Sequence, residues 1–234
     1  NSVTSIGDEA FRGCSGLTSI IVESGNTVYD SRNNCNAIIE TATNTLLVGC
    51  KNSKVEEGIV KIGQRAFNYC AYLIEIELPD SLKIIDDGGF RGCQRMTNIV
   101  IPKNVEKIEE TAFNACLSIK KLEVDSENKV YDSRDNCNAI IETATNTLVC
   151  GNRATTIPQS VVAIGESAFR LMTTTYGTEQ ITIPKSVKTI EKDAFIENYS
   201  LRVVCLGDEV KIDNEAFGGN FVYFYCRENS DAYK

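Results

Sequence analysis

Seven phenylalanines divide this chain into segments of related length, and their spacing constrains the fold more than any other feature. Each stands five residues after an isoleucine in the phrase Ile-x-x-x-Ala/Gly-Phe, as in Ile62 to Phe67. The intervals between them are 56, 23, 23, 56, 26 and 22 residues. A recurring period of this length indicates a repeat protein, in which each unit buries its apolar face against its neighbours. The seven are Phe11, Phe67, Phe90, Phe113, Phe169, Phe195 and Phe217.

The two intervals of 56 residues contain a second, longer repeat. Residues 27–47 and 129–149 are identical at 18 of 21 positions. In each copy the apolar segments Ala-Ile-Ile-Glu and Thr-Leu flank a polar Thr-Ala-Thr-Asn, a pattern typical of a β-hairpin. We therefore predict two inserted hairpins, at about residues 24–57 and 126–156, within an otherwise continuous array.

Two apolar signatures recur within the repeats and predict short strands. Six residues after most of the phenylalanines comes apolar-x-x-apolar-x-apolar, as in Leu73 to Leu78, and its alternating end suits a strand with one buried face. A Val/Leu-x-x-Ile segment follows, as in Leu82 to Ile85, and predicts a second extended piece. The polar triplet before Ala-Phe, such as Gly165-Glu166-Ser167, predicts one helical turn with an acid near its start.

Together these elements predict the fold class α/β. The expected architecture is a right-handed leucine-rich repeat solenoid with a parallel sheet of short strands, short helical turns and two inserted β-hairpins. We expect one domain over residues 1–234, because each repeat is covered only by its neighbours. The aromatic tail at about residues 221–226 is expected to form the closing strand.

Composition excludes several classes of function. The chain contains no histidine, so Ser-His-Asp and Cys-His catalysis and histidine-ligated zinc are excluded. Its formal net charge is −8 and its basic residues are dispersed, so nucleic acid and anionic membranes are not expected partners. It has no apolar run long enough for membrane insertion. We expect no enzymatic activity and no cofactor.

The ten cysteines allow three interpretations. Four of them, Cys14, Cys70, Cys93 and Cys116, stand three residues after a phenylalanine, where a later repeat has Met172. Replacement by methionine favours a buried apolar slot and a free structural thiol over a disulfide or a metal ligand. Local pairs that join Cys35 to Cys50 and Cys137 to Cys150 remain open. A two-position offset between the copies weakens that pairing.

A polar loop precedes each predicted hairpin. Asp30 to Asn34 and Asp132 to Asn136 carry oxygen ligands at alternate positions, as calcium loops do. However, Arg32 and Arg134 place a cation at the third position. Capping by local Asx turns is therefore the favoured interpretation.

The outward row of the predicted strands is the candidate recognition surface, since solenoids usually bind through an extended sheet face. The alternative is a solvated face without a ligand. The row consists of Ser19, Ile21, Glu75, Glu77, Asn98, Val100, Lys121, Glu123, Gln180, Thr182, Arg202 and Val203. A rival surface lies on the insertions, whose tyrosines and arginines are residue types enriched at interfaces. Its residues are Tyr29, Arg32, Tyr131 and Arg134.

The repeated phrase resembles the BspA-like leucine-rich repeat family. Residues 183–195 and 10–20 follow that family's form I-P-x-x-V-x-x-I-x-x-x-A-F-x-x-C-x-x-L-x-x-I. The tail, Asn229 to Tyr233, resembles the family's terminal unit without its glycine. The resemblance implies a bacterial surface or secreted protein that attaches to host matrix or cell-surface protein or glycan. It implies no catalytic residues.

Three functional hypotheses follow. The first is a non-catalytic extracellular or cell-surface binding module that recognises protein or glycan, with any signal or lipid-attachment segment outside this sequence. The second is a structural spacer domain of a larger surface protein. The third, a glycosidase that uses an acid pair such as Glu75 and Glu77, is disfavoured because the repetitive surface indicates no cleft.

Overall fold

A computed structural model describes residues 1–7, 9–173, 179–218 and 221–226. By its internal contacts the chain divides into two compact units, Asn1–Ser118 and Ile119–Lys234. Among these residues no helix has the length and apolar character needed to cross a membrane. The strands of the first unit are β1 (Tyr29–Asp30), β2 (Ala37–Glu40), β3 (Thr45–Gly49), β4 (Lys61–Ile62), β5 (Ile84–Ile85), β6 (Asn98–Ile101) and β7 (Lys107–Ile108).

The second unit is likewise built from short strands. Each unit also contains one three-residue 3-10 helix, Arg32–Asn34 in the first and Arg134–Asn136 in the second. The strands of the second unit are β8 (Lys121–Val124), β9 (Tyr131–Asp132), β10 (Ile140–Glu142), β11 (Thr147–Cys150), β12 (Ala163–Ile164), β13 (Gln180–Ile183), β14 (Thr189–Ile190), β15 (Tyr199–Cys205), β16 (Lys211–Ile212) and β17 (Phe221–Tyr225).

Each unit is a β-solenoid of leucine-rich repeat type. In the first, the sheet order is β1-β2-β3-β4-β5-β7, and β3, β4, β5 and β7 are parallel. Parallel pairing of strands from successive coils requires the chain to wind in one direction. The second unit has a sheet β9-β10-β11-β12-β14-β16 and a parallel sheet β13-β15-β17. The isoleucines of the Val/Leu-x-x-Ile signature end the two-residue strands, as predicted.

The aromatic rings stack inside each unit, as the spacing predicts. In the first unit the ring centroids of Phe67 and Phe90 are 5.1 Å apart, and those of Phe90 and Phe113 are 5.6 Å apart. In the second unit the Phe169–Phe195 and Phe195–Phe217 separations are both 5.1 Å. The prediction is wrong for Phe11, which is 37% exposed.

The predicted helical turns are absent from the described residues, so the α/β class is corrected to a β-solenoid. Residues two positions before or after the phenylalanines adopt positive φ, for example Arg65 at 58° and Tyr69 at 56° around Phe67. Ser167 and Asp193 do the same in the second unit. A left-handed residue interrupts the run of right-handed residues that a helix requires. The polar triplet therefore forms a tight corner between strands.

The predicted inserted hairpins are also corrected. β2 and β3 pair antiparallel across the polar Thr41 to Asn44, but β3 also pairs in parallel with β4. β11 likewise joins β10 antiparallel and β12 parallel. The predicted antiparallel strand pairs are thus present, but they belong to the main sheets and are not inserted apart from them. They place Gly49 beside Phe67 and Gly151 beside Phe169, where an added Cβ would lie 2.1 Å from the ring in each case.

Candidate functional site

The outward row of the first unit is exposed. In β6 the side chains alternate, with Asn98 and Val100 exposed and Ile99 and Ile101 buried. Glu75 forms an isolated parallel bridge with Asn98, so these two predicted binding residues lie side by side. Glu77, Ser19 and Ile21 are exposed as well, and Ile21 is 80% exposed.

Two acids of this row are electrostatically uncompensated. Among the described residues, neither Glu75 nor Glu77 has an ion-pair partner. Other acids of the first unit are paired, as Asp86 is to Lys61 at 2.5 Å and Asp80 to Lys103 at 2.7 Å. The charges of Glu75 and Glu77 are therefore available to a partner.

In the second unit, Lys121 and Glu123 pair with each other. Lys121 Nζ lies 2.8 Å from Glu123 Oε2 on β8. Both line a surface cavity of about 430 Å³ together with Asn138, whose Oδ1 accepts a 2.7 Å hydrogen bond from the backbone N–H of Leu122. The opposite charges of Lys121 and Glu123 compensate each other, so this part of the row is less available for ionic recognition.

Arg202 lies in the centre of the sheet β13-β15-β17. Gln180, Arg202 and Tyr223 are aligned across the three strands, as are Thr182, Val204 and Tyr225. All are exposed except Val204, which is half-buried. The prediction that Val203 faces outward is wrong, since Val203 is fully buried and the alternation of β15 is shifted by one residue.

Sequence reasoning missed the exposed tyrosines of this sheet. Tyr223 and Tyr225 are 54% and 50% exposed, while Val222 and Phe224 pack against the core. The signal was the alternation of the tail Phe-Val-Tyr-Phe-Tyr-Cys, which places tyrosine at every second position on one face.

The two tyrosines predicted for the rival surface on the insertions are buried. Tyr29 is 7% and Tyr131 is 5% exposed, so both belong to the core. The Tyr29 hydroxyl donates a 3.4 Å hydrogen bond to the carbonyl oxygen of Thr4. Their predicted contact with a partner is corrected, because a buried ring offers no surface to a ligand.

The two arginines of the insertions are held by internal hydrogen bonds. Arg32 Nε donates to Asp30 Oδ1 at 2.8 Å, its Nη2 donates to Asp30 Oδ2 at 2.5 Å, and its Nη1 donates to Asn44 Oδ1 at 2.9 Å. The hydrogen bonds between Arg32 and Asp30 are the largest cause that lowers the pKa of Asp30 and raises that of Arg32. Arg134 repeats the arrangement on Asp132 and Asn146.

This arrangement joins the polar loop to the turn between the antiparallel strands. Both oxygens of Asp30 accept from Arg32, which disfavours the calcium interpretation. Within the described residues, no cluster of three or more acidic or cysteine side chains is placed to hold a metal. Arg32 and Arg134 therefore have a structural role, because each holds its polar loop to the turn.

The cysteine slots form a hydrogen-bonded column. The thiol of Cys93 donates to the carbonyl oxygen of Phe67 at 3.4 Å, and that of Cys116 to Phe90 at 3.1 Å. In the second unit Asn198 occupies the slot, and its Nδ2 donates to Phe169 at 2.7 Å. None of the ten cysteines forms a disulfide in this structure.

Burial controls the chemistry of these thiols. It raises the pKa of Cys70 to about 11 and is the main cause that raises the pKa of Cys93 well above its usual range. The prediction of a buried apolar slot is wrong for Cys14, which lies exposed on the first coil. The buried thiols are therefore unreactive packing residues.

A small cavity of about 110 Å³ lies beneath the first coil. Its apolar lining includes Phe11 and Phe67. The side chains at its margin include Arg12 and Arg65, and both form ion pairs with Glu9, at 3.1 and 3.0 Å. Since these charges are satisfied internally, the cavity does not compete with the sheet faces as a recognition site.

Comparison with known sequences identifies the repeat. The profile of the BspA type leucine rich repeat region matches residues 1–45, 60–143 and 148–227 in six copies. No functionally curated protein matches the sequence.

Two solved structures are similar to this chain. The first is a leucine rich cell surface protein from Faecalibacterium prausnitzii A2-165, with 23% identity, a TM-score of 0.56 and coverage of 71% of this chain and 50% of that one. The second is the pneumococcal vaccine antigen PcpA, with 16% identity, a TM-score of 0.50 and coverage of 74% and 53%. This chain thus spans about half the length of each. At these identities the similarity shows the fold, and neither structure indicates an enzyme family.

Proposed function

Because this chain belongs to the BspA-type leucine-rich repeat family, we propose that it is a non-catalytic binding module that contacts a partner outside the cell through its exposed sheet faces. The partner is a host matrix or cell-surface protein, or a glycan. A cell-surface location is supported by the description of the Faecalibacterium prausnitzii protein. That residues 1–234 act as one domain remains a prediction.

The contrast between the sheet row and the insertions supports this proposal. Arg32 and Arg134 are committed to internal hydrogen bonds, whereas Glu75, Glu77 and Arg202 are exposed and without ion-pair partners among the described residues. Charged groups that the fold does not use can contact a ligand without breaking existing interactions. Side chains from successive coils also align in register, which gives the extended surface by which solenoids bind.

Binding to a panel of immobilised matrix proteins, mucins and glycans tests the proposal. We expect at least one member to be retained by the intact chain. The variant Glu75→Gln, Glu77→Gln or Arg202→Gln on the face that binds should weaken that binding by about tenfold, because each removes one charge-assisted contact. The control is Glu57→Gln, because Glu57 is an exposed acid that is not on a sheet face.

The outcomes separate the hypotheses. Selective loss in the sheet-face variants supports recognition through that face. Equal loss in Glu57→Gln indicates a nonspecific charge effect. Absence of binding to the whole panel contradicts the binding proposal and favours the structural spacer.

A further inference from the structure

Exposed aromatic side chains are concentrated on the outer face of the sheet β13-β15-β17. Tyr199, Tyr223 and Tyr225 are each about half exposed, at 46%, 54% and 50%. Arg202 lies between them in the strand register, opposite Tyr223. These four residues are called the tyrosine face below. Tyrosine and arginine are enriched among the residues that contribute most of the binding energy at interfaces, so their joint exposure indicates a candidate binding surface.

A β-bulge brings Tyr199 to this face. The pairing of β15 with β17 is Tyr199 to Phe221 and Arg202 to Tyr223, so three steps on β15 match two on β17. Without the extra residue, Tyr199 would share the inward side with Leu201 and Val203, which are buried. The bulge therefore turns an aromatic ring outward at the start of the strand. Bulges commonly re-aim side chains beside functional sites.

Arg202 supplies an uncompensated positive charge. Within the part of the chain that the structure describes, it has no ion-pair partner. Glu179, which is near it in the sheet, pairs with Arg153 at 3.3 Å, and its backbone oxygen accepts from the Arg202 N–H. An exposed guanidinium in a chain of net charge −8 offers its planar fork to an external carboxylate.

The backbone of β15, the strand that carries Tyr199 and Arg202, is not available to a ligand. β15 is the central strand and pairs with β13 on one side and β17 on the other. A peptide that adds as a strand would need free backbone groups at an edge. A ligand on the tyrosine face meets only side chains, namely aromatic rings, a guanidinium and the polar groups of Gln180 and Thr182, which lie 3.4 Å apart.

This set of groups matches the chemistry of an acidic sugar. A sugar ring has an apolar C–H face that packs on the electron-rich face of an aromatic ring, and its hydroxyls bond to amide and hydroxyl groups. A carboxylate on the sugar would pair with the Arg202 guanidinium. Alternate tyrosines on one strand are roughly 7 Å apart, so more than one ring can be contacted by an oligosaccharide.

We propose that the tyrosine face binds a carboxylate-bearing sugar of a glycan, with Tyr223 and Tyr225 as stacking platforms, Tyr199 at the margin and Arg202 as the carboxylate partner. This inference rests on the proposed function and specifies the ligand class for one of its sheet faces.

Binding of defined oligosaccharides to the intact chain tests it. The probes are 3′-sialyllactose, a hyaluronan tetrasaccharide and an oligogalacturonate, with lactose as the neutral counterpart of the first. Titration is followed by isothermal calorimetry and by saturation-transfer NMR. We expect at least one acidic probe to bind about tenfold more tightly than a neutral analogue, with the difference lost in Arg202→Gln.

The variants separate stacking from charge. Tyr223→Ala should weaken acidic-probe binding by about tenfold, while Tyr223→Phe retains it because the ring is kept. Tyr72→Ala is the matched control, since Tyr72 is 50% exposed in the first unit. Circular dichroism and thermal unfolding identify any variant that fails to fold, and Tyr225→Ala then replaces it.

Several results would overturn the inference. They are failure of all three acidic probes, equal affinity for the neutral sugar, equal loss in Tyr72→Ala, or preference for an acidic peptide over each sugar. If the probes fail while the intact chain still retains a panel member and that binding depends on Glu75, the proposed function stands without this ligand class.

Discussion

Gly49 lies so close to Phe67 that a Cβ at its position would stand 2.1 Å from the ring edge. The backbone N–H of Gly49 also donates a 2.8 Å hydrogen bond to the carbonyl oxygen of Ala66. Gly49 thus packs against the Phe67 end of the aromatic stack, and the coil to which Gly49 belongs contains no phenylalanine. Gly151 has the same relationship to Phe169 in the second unit.

Gly49→Ala should therefore destabilise the protein. The new methyl group would overlap the Phe67 ring, which also stacks on Phe90, and overpacking of this kind costs about 1–3 kcal/mol. Urea denaturation measures the loss. Gly16→Ala is the control, because no atom lies within 4 Å of an added Cβ there. Equal stability of both variants would show that the ring relaxes freely.

Phe90→Ala should cost about 3–5 kcal/mol, as truncation of a buried aromatic does. Phe90 has no exposed surface and stacks on Phe67 and Phe113. Phe11→Ala, at the exposed position of the first coil, should cost clearly less when both variants are unfolded with guanidinium chloride. A loss below about 1 kcal/mol for Phe90→Ala would contradict the central role of the stack.

The Asp30–Arg32 pair predicts a pH dependence. Hydrogen bonds from Arg32 outweigh the opposing effect of burial and lower the pKa of Asp30 from its ordinary value of 3.8. The pair therefore contributes stability above that value, and the contribution is lost as the pH falls through the folded-state pKa. Asp30→Asn should cost about 1 kcal/mol near neutral pH.

The test is the difference in unfolding free energy between wild type and Asp30→Asn from pH 7 to pH 2. The difference should shrink toward the acid end. Glu57→Gln, at an exposed acid outside the loop, should show no such convergence. A difference that stays constant with pH would mean that Asp30 does not act through its charge.

Thiol labelling should follow burial. Cys14 is exposed, whereas Cys93 is fully buried with a raised pKa, so iodoacetamide at pH 8 should modify Cys14 first. We expect Cys93 to react at least about 100-fold more slowly, because the reagent needs the thiolate and an opening of the coil. Peptide mass spectrometry over time measures both rates. Similar rates would contradict a closed core.

The phenylalanine period predicted most of the core because identical residues in successive coils must stack. It failed at Phe11, which is exposed and has no stacked aromatic partner among the described residues. The polar triplet before Ala-Phe predicted helical turns, whereas tight corners between strands occur there. Glycine at 13, 88 and 92, two residues from a phenylalanine, indicated left-handed backbone, and these glycines do have positive φ.

The insertions were harder to interpret from sequence. Because the two copies are nearly identical, the sequence predicted partner contact for Tyr29 and Arg32 alike. In the structure Tyr29 is buried and Arg32 is held by Asp30. Periodicity was insufficient here because these contacts depend on how an irregular loop folds back. On β15, the bulge shifted the alternation and reversed the expected orientation of Val203.

The hydrogen bonds of Arg32 join residues that are close along the chain. Its partners Asp30 and Asn44 are two and twelve residues away, whereas stacked rings such as Phe67 and Phe90 are 23 apart. Short loops close faster and at lower entropic cost. Each long repeat can therefore close its loop onto its turn at low entropic cost, independently of the longer-range stacking of rings between coils.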